Sequence, residues 1–264
     1  MTTIPTTPLV VEVRDLVATV WLNRPDARNA IDLALATALV ETFADLADSD
    51  VRAVVITGRG SAFCAGLDLR SLDGSQQLAD LPRFVDAIAT SPLVRIAAVN
   101  GPAVTAGLEI ALACDLIVAS TSASFADTHL RVGVFPGPVL VDLPRRIGLS
   151  RASEMIMSGN FIDARRAEAM GLVNRVVEPE ELVDSAIDLA AAIAEQDPSL
   201  LAAVRAALHE TAGLVIAEAR HRHGELARAA MNEPPTGQSI SRHRDRVIEL
   251  ARQRSHTPLG PDQR

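Results

Sequence analysis

Glu109 is the only charged residue in the run Thr105-Ala106-Gly107-Leu108-Glu109-Ile110-Ala111-Leu112-Ala113-Cys114. Ionising a carboxyl in such apolar surroundings is costly, so its pKa should rise. The start of a helix opposes that effect by favouring the anion. A carboxyl balanced between the two suits proton transfer near neutral pH. The alternative is a structural carboxylate paired with a distant Arg. Two turns of small residues offer complementary chemistry. One is Ala62-Phe63-Cys64-Ala65-Gly66-Leu67-Asp68-Leu69, behind the strand-like run 51–57. The other begins at Asn100-Gly101-Pro102-Ala103, behind the run 95–99, and opens the Glu109 helix. Turns of this kind leave backbone N–H groups unpaired and aimed at a pocket. Two such donors on one oxygen form an oxyanion hole, each worth about 3 kcal/mol in the transition state. The first donor is assigned to the Leu67 N–H of the Ala65-Gly66-Leu67 turn, and the second to the Thr105-Ala106-Gly107 turn. The chemistry indicated is at a carbonyl whose oxygen gains negative charge.

His129 stands between Thr128 and Leu130, after a short strand-like run. It is either a satisfied structural residue or a proton donor and acceptor, since imidazole titrates near neutrality. Asp68 directly follows the first turn and could equally cap the next helix. The remaining histidines, 209, 221, 223, 243 and 256, lie towards the C-terminal end. His221-Arg222-His223 reads as a solvated helix face. Cys64 and Cys114 have no metal-ligand spacing, and no metal site is expected.

Composition removes whole classes of mechanism. All 25 cationic side chains are Arg, so there is no lysine Schiff base, no lysine-held pyridoxal phosphate and no P-loop lysine. Tyr is absent, so no phenol can serve as acid or oxyanion donor. The net charge of −8 argues against nucleic acid as the main partner. The charge is uneven: 15 Arg stand against 26 Asp and Glu over residues 1–204, and 10 against 7 over residues 205–264. That difference fits either a solvated surface or a cationic tail near an anionic ligand or another subunit. Two thiols and no signal-like N-terminal pattern point to a reduced, cytoplasmic setting. No run is long and apolar enough to span a bilayer.

The elements that must position these groups follow from periodicity. The runs 9–13 and 17–22 read as paired strands, and 51–57, 96–99, 116–119, 124–127 and 172–177 as further strands. Asp32 could cap a helix through about residue 47, apolar at Leu35, Leu39, Phe43 and Leu46. Helices are predicted over 82–90, 105–114, 150–157 and 164–170, and from 180 onward with breaks at Pro198 and around Pro234-Pro235. The alternation predicts an α/β domain, and its short strands and recurring turns favour a spiral of ββα units. With 48% hydrophobic but only 3% aromatic residues, the core must be built from Ala, Val, Leu and Ile. The organisation expected is a core over 1–195 and a helical oligomerisation region over 196–264.

Together these residues resemble the crotonase superfamily, also called the enoyl-CoA hydratase/isomerase family. The matching pieces occur in order: Asn23-Arg24-Pro25 with Asn29-Ala30, then 54–58, 62–69, 98–115, 125–137, and Ser158-Gly159 through Gly171-Leu172-Val173. The resemblance covers about 9–180 and implies a crotonase-like spiral followed by helices that build homotrimers or dimers of trimers. It implies an acyl-CoA substrate and an enolate held by the amides of Leu67 and Ala106. It places the CoA adenine against backbone at Ala65, Gly66, Asp68 and Leu69, and CoA phosphates near Arg28. Gly107 and Gly133 fall within the substrate-binding motifs. No cofactor is implied beyond the coenzyme A of the substrate.

Hydratases of the family use two glutamates. The first matches Glu109; the second falls on His129. A further departure is Thr105-Ala106, where two glycines are usual. If Ala106 needs positive φ it costs about 1 kcal/mol; otherwise its methyl narrows the pocket. The run Pro136 to Asp142 is one residue short, with Asp142 unplaced. The tail lacks a CoA-binding lysine, for which Arg242, Arg244 and Arg246 could substitute. The implied activity is hydration of 2-enoyl-CoA by Glu109 and His129. The alternatives are isomerisation, thioester hydrolysis, decarboxylation, a Thr105 nucleophile with His129 as base, or acyl-CoA binding without turnover.

Overall fold

The fold is built around a hairpin whose second strand opens a parallel sheet. The computed structural model describes residues 7–70, 81, 83–231, 244, 247 and 248. Strands β1 (Leu9–Arg14) and β2 (Val17–Leu22) pair antiparallel. From β2 the pairing is parallel through β3 (Ala53–Gly58), β4 (Val94–Val99), β6 (Leu116–Ser120) and β9 (Arg175–Val177). Every residue of β3 and β4 is buried, as expected of parallel strands covered on both faces. A small second sheet joins β5 (Pro102–Val104), β7 (Ser124–Ala126) and β8 (Ile162–Asp163).

Helix α1 (Leu33–Ala47) starts where the sequence says it should: Asp32 Oδ1 accepts the Leu35 N–H at 2.8 Å. Its apolar stripe, Leu35, Leu39, Phe43 and Leu46, is buried, each large side chain contributing about 1.5–3 kcal/mol. Helix α2 (Phe84–Thr90) is fixed by a buried cation on β4. Arg95, 1% exposed, pairs with Asp115 at 2.7 Å and donates to the carbonyls of Ile88 and Ala89. It thereby adds a charged donor to carbonyls in the last turn of α2, where intrahelical partners run out. Then follow α3 (Ala106–Leu112), buried at every residue, α4 (Val139–Ile147), α5 (Leu149–Ser158), α6 (Ala164–Ala169) and α7 (Leu182–Ala194).

Three elements depart from the sequence expectations. β5 occupies part of what reads as a turn, because three residues opening on Pro carry no periodic signal. β8 is two residues long. α4 was not expected, since Pro144 lies inside it and Pro normally ends a helix.

The chain divides after Pro198 into two units. Pro198 begins α8 (Pro198–Thr211), the rest of which lies in the second unit with α9 (Ile216–Met231). Arg222 bridges these two helices through Glu210 at 2.5 Å. His221 and His223 are exposed there, and no group of three His, Cys, Asp or Glu able to hold a metal ion occurs among the described residues. The break expected around Pro234-Pro235 lies outside the described residues. Among the described residues no helix is long and apolar enough to cross a membrane.

Candidate active site

Backbone stitching brings the two small-residue turns together. Cys64 N–H donates to Pro102 O at 3.1 Å, and Val104 N–H donates to Cys64 O at 3.0 Å. Two glycines make this approach possible. A Cβ on Gly107 would lie 2.2 Å from the Cys64 carbonyl oxygen, and one on Gly66 (φ +104°) would lie 2.4 Å from Thr105 Oγ1. Leu67 and Ala106 consequently line one cleft. Among the described residues neither N–H donates to a protein group. Ala106 is the first residue of α3 and has no acceptor within the helix. At Leu67, which bridges Ile31, the bonded groups are the flanking Gly66 C=O and Asp68 N–H.

Glu109 and His129 line the same cleft, about 250 Å³ in volume, with Leu81, Arg83, Phe84, Val85, Asp86 and Pro138. Glu109 is 7% exposed, and its Oε1 accepts the Val139 N–H at 3.4 Å. Burial raises its pKa; His129 and the Val139 N–H oppose this, while Asp127 and Asp142 add to it. The net result is a pKa raised from the ordinary glutamate value. His129 begins a 3-10 turn, His129–Val132. Asp127 Oδ1 meets its Nδ1 at 2.8 Å and accepts its backbone N–H at 2.9 Å. Burial alone would lower the pKa of His129, but the hydrogen bond and charge of Asp127, with the charge of Glu109, outweigh it and leave it raised.

Residues 12–245 match the family described as enoyl-CoA hydratase/isomerase. The chain belongs to the enoyl-CoA hydratase/isomerase family. It is 38% identical over 208 residues to the (E)-benzylidenesuccinyl-CoA hydratase of Thauera aromatica, covering 76% of this chain and 81% of that one. It is 36% identical over 209 residues to the 2,3-dehydroadipyl-CoA hydratase of Escherichia coli, covering 77% and 82%. The crystal structure of an enoyl-CoA hydratase from Mycobacterium smegmatis superposes with a TM-score of 0.83 at 33% identity, over 90% of this chain and 96% of that chain. These matches establish the crotonase fold expected from the sequence.

The other residues singled out by family resemblance lie behind the cleft lining or away from it. Arg28 is exposed with φ 51°, and its carbonyl accepts the Ala65 N–H at 3.0 Å, so its backbone shapes the first turn. Asp68 is held by Arg24 at 2.9 Å, which also reaches Asp32 at 3.0 Å. Leu69 is 54% exposed, and Gly133 (φ +73°) closes the 3-10 turn. Asp142 sits on α4 and acts on Glu109 through its charge. Arg244 belongs to the second unit. Arg242, Arg246 and residues 71–80 lie outside the described residues. Two contributions went unrecognised in the sequence: Asp127, and the use of the helix predicted over 82–90 as a wall of the cleft. The spacing Asp127-Thr128-His129 was the available signal for the first. The wall made by α2 carries none, because it depends on packing across the sheet.

Where the family usually has two glycines, the strained residue is Thr105 and not Ala106. Thr105 has φ 47° and ψ −109°, a conformation that a β-branched residue rarely adopts, while Ala106 is helical. Such strain costs about 1–3 kcal/mol. Thr105→Gly is therefore expected to raise stability by about 1 kcal/mol after its own entropic cost, or roughly 3 °C in thermal midpoint. Thermal unfolding of the two proteins side by side checks this; a lower midpoint for the glycine variant contradicts it.

Proposed function

We propose that this chain adds water across the double bond of 2-enoyl-CoA thioesters. The observation that carries this is the lining of one cleft by Leu67, Ala106, Glu109 and His129. The two amides receive the thioester oxygen as charge builds on it. Glu109 takes a proton from water as its oxygen bonds to Cβ, and the π pair moves to form the enolate. His129 gives a proton to Cα, and proton return from Glu109 to His129 resets the pair. Relatives named as hydratases of benzylidenesuccinyl-CoA and dehydroadipyl-CoA support hydration over isomerisation. Crotonyl-CoA is the test substrate, with loss of enoyl thioester absorbance as the readout. Absence of any loss with active-site concentrations of protein overturns hydration of this substrate class.

Turnover requires Glu109 ionised and His129 protonated. Both groups are raised, so both limbs of the pH profile move upward. As pH falls, Glu109 takes up its proton at a higher pH than an ordinary glutamate does, and the rate drops. As pH rises, His129 loses its proton above the ordinary imidazole value, and the rate drops again. Initial rates across the pH range should trace this bell; a rate that climbs steadily into alkali contradicts the acid role of His129.

The assembly proposed is the homotrimer that the family resemblance implies. It is supported by exposed Leu130, Val132, Phe135, Met157 and Phe161. Arg131 holds their two segments adjacent by donating to Ser158 O and Asn160 Oδ1.

A further inference from the structure

Asp127 follows β7 and is completely buried. A buried carboxylate is expensive unless donors or a cation compensate it. Here the two donors, the His129 N–H and the ring Nδ1, both go to Oδ1. Oδ2 is buried with no hydrogen-bond partner among the described residues. The ion-pair partner found for this carboxylate among those residues is His129, whose side chain is 12% exposed. A carboxylate oxygen only accepts, so Nδ1 carries the proton in this contact, and Nε2 is left for the cleft that the ring lines.

We propose that Asp127 is the positioning residue that holds His129 as an acid, with Nδ1–H fixed on the carboxylate and Nε2 presented to substrate. This rests on the hydration reaction proposed above. In that reaction the imidazolium Nε2–H bond breaks, its proton goes to Cα, and the enolate pair forms the Cα–H bond. The ring left behind is neutral, with Nδ1–H still on Asp127 and a lone pair on Nε2. It takes back the proton that Glu109 removed from water, so the ring need not turn over between steps. With the opposite tautomer the neutral ring would carry hydrogen on Nε2 and could not be recharged there. Burying this anion thus lets an imidazole stand where family hydratases have a second carboxyl group. The charged groups that face or flank the pair are Glu109 from α3, Asp86 and Arg83 at the start of α2, and Asp142 on α4, acting through Glu109. Arg131, on the ring's own turn, is engaged by Ser158 and Asn160.

Asp127→Asn keeps the shape and removes the charge. It should lower kcat for crotonyl-CoA by about 10²-fold with KM within about twofold, and move the alkaline limb to lower pH. The His129 titration in resting protein, followed by NMR of histidine-labelled protein and assigned with His129→Gln, should move the same way. An unmoved titration overturns the proposal, and so does a moved titration with kcat retained. Should the variant not fold, the ring nitrogen shifts of the wild-type protein decide: the Nδ1–H tautomer upholds the proposal, and the Nε2–H tautomer overturns it. An inactive wild type overturns hydration alone, because the tautomer and titration still report on the pair.

Discussion

Glu109→Gln is expected to lower kcat for crotonyl-CoA hydration by at least about 10³-fold while acyl-CoA binding stays within a few-fold of wild type. The amide has the carboxyl's shape and can still accept the Val139 N–H that now reaches Oε1 at 3.4 Å. It cannot take a proton from water. The neutral side chain also removes the desolvation that pushes this buried acid's pKa up, so the fold should not suffer. Steady-state kinetics and calorimetric titration with a 3-hydroxyacyl-CoA separate these effects. Full turnover by the variant removes Glu109 as the base. Lost binding together with a lowered thermal midpoint would instead make it a structural group.

Gly107→Ala should have the largest effect of any methyl added near the cleft. Its Cβ would stand 2.2 Å from Cys64 O, 2.9 Å from Cys64 Cβ and 3.0 Å from Cys64 C. Two of these are backbone atoms of the neighbouring turn, so one turn must move. Overpacking of this kind costs about 1–3 kcal/mol. The movement also separates the Leu67 and Ala106 amides, and losing one such donor costs about 10²–10³-fold in kcat. Gly224→Ala is the control, because a Cβ there meets nothing within 4 Å. A Gly107→Ala enzyme with unchanged kcat and midpoint would mean that the close approach of the turns is dispensable.

Periodicity carried the elements whose signals are local. α1 shows both its cap and its stripe in the sequence, and β2, β3 and β4 are apolar runs bounded by turn residues. Leu67, Ala106, Glu109 and His129 could be associated because their motifs recur in order in one family, and all four line the same cleft. Family likeness did not point to Asp127. Its contact with His129 depends on the bend of the chain at Thr128, just ahead of the 3-10 turn, which brings residues two apart together. The strain at Thr105 was likewise hidden: the substitution for glycine was visible, but which of positions 105 and 106 turns left-handed is settled by the strand and helix on either side. α2 enters the cleft through Arg95 and its pair with Asp115, a contact between distant segments that no local pattern announces.

Asn29 is buried with φ 56°, and its one side-chain amide makes three hydrogen bonds to backbone, at Arg24 and in the 59–62 segment. Nδ2 donates to Arg59 O at 2.9 Å and to Ala62 O at 2.8 Å, while Oδ1 accepts the Arg24 N–H at 2.9 Å. Deamidation would exchange those two donated bonds for an anionic oxygen facing two carbonyls. Chemical ageing at this position would therefore repel the segment that leads into the first turn, damaging the cleft from behind without altering any group that lines it.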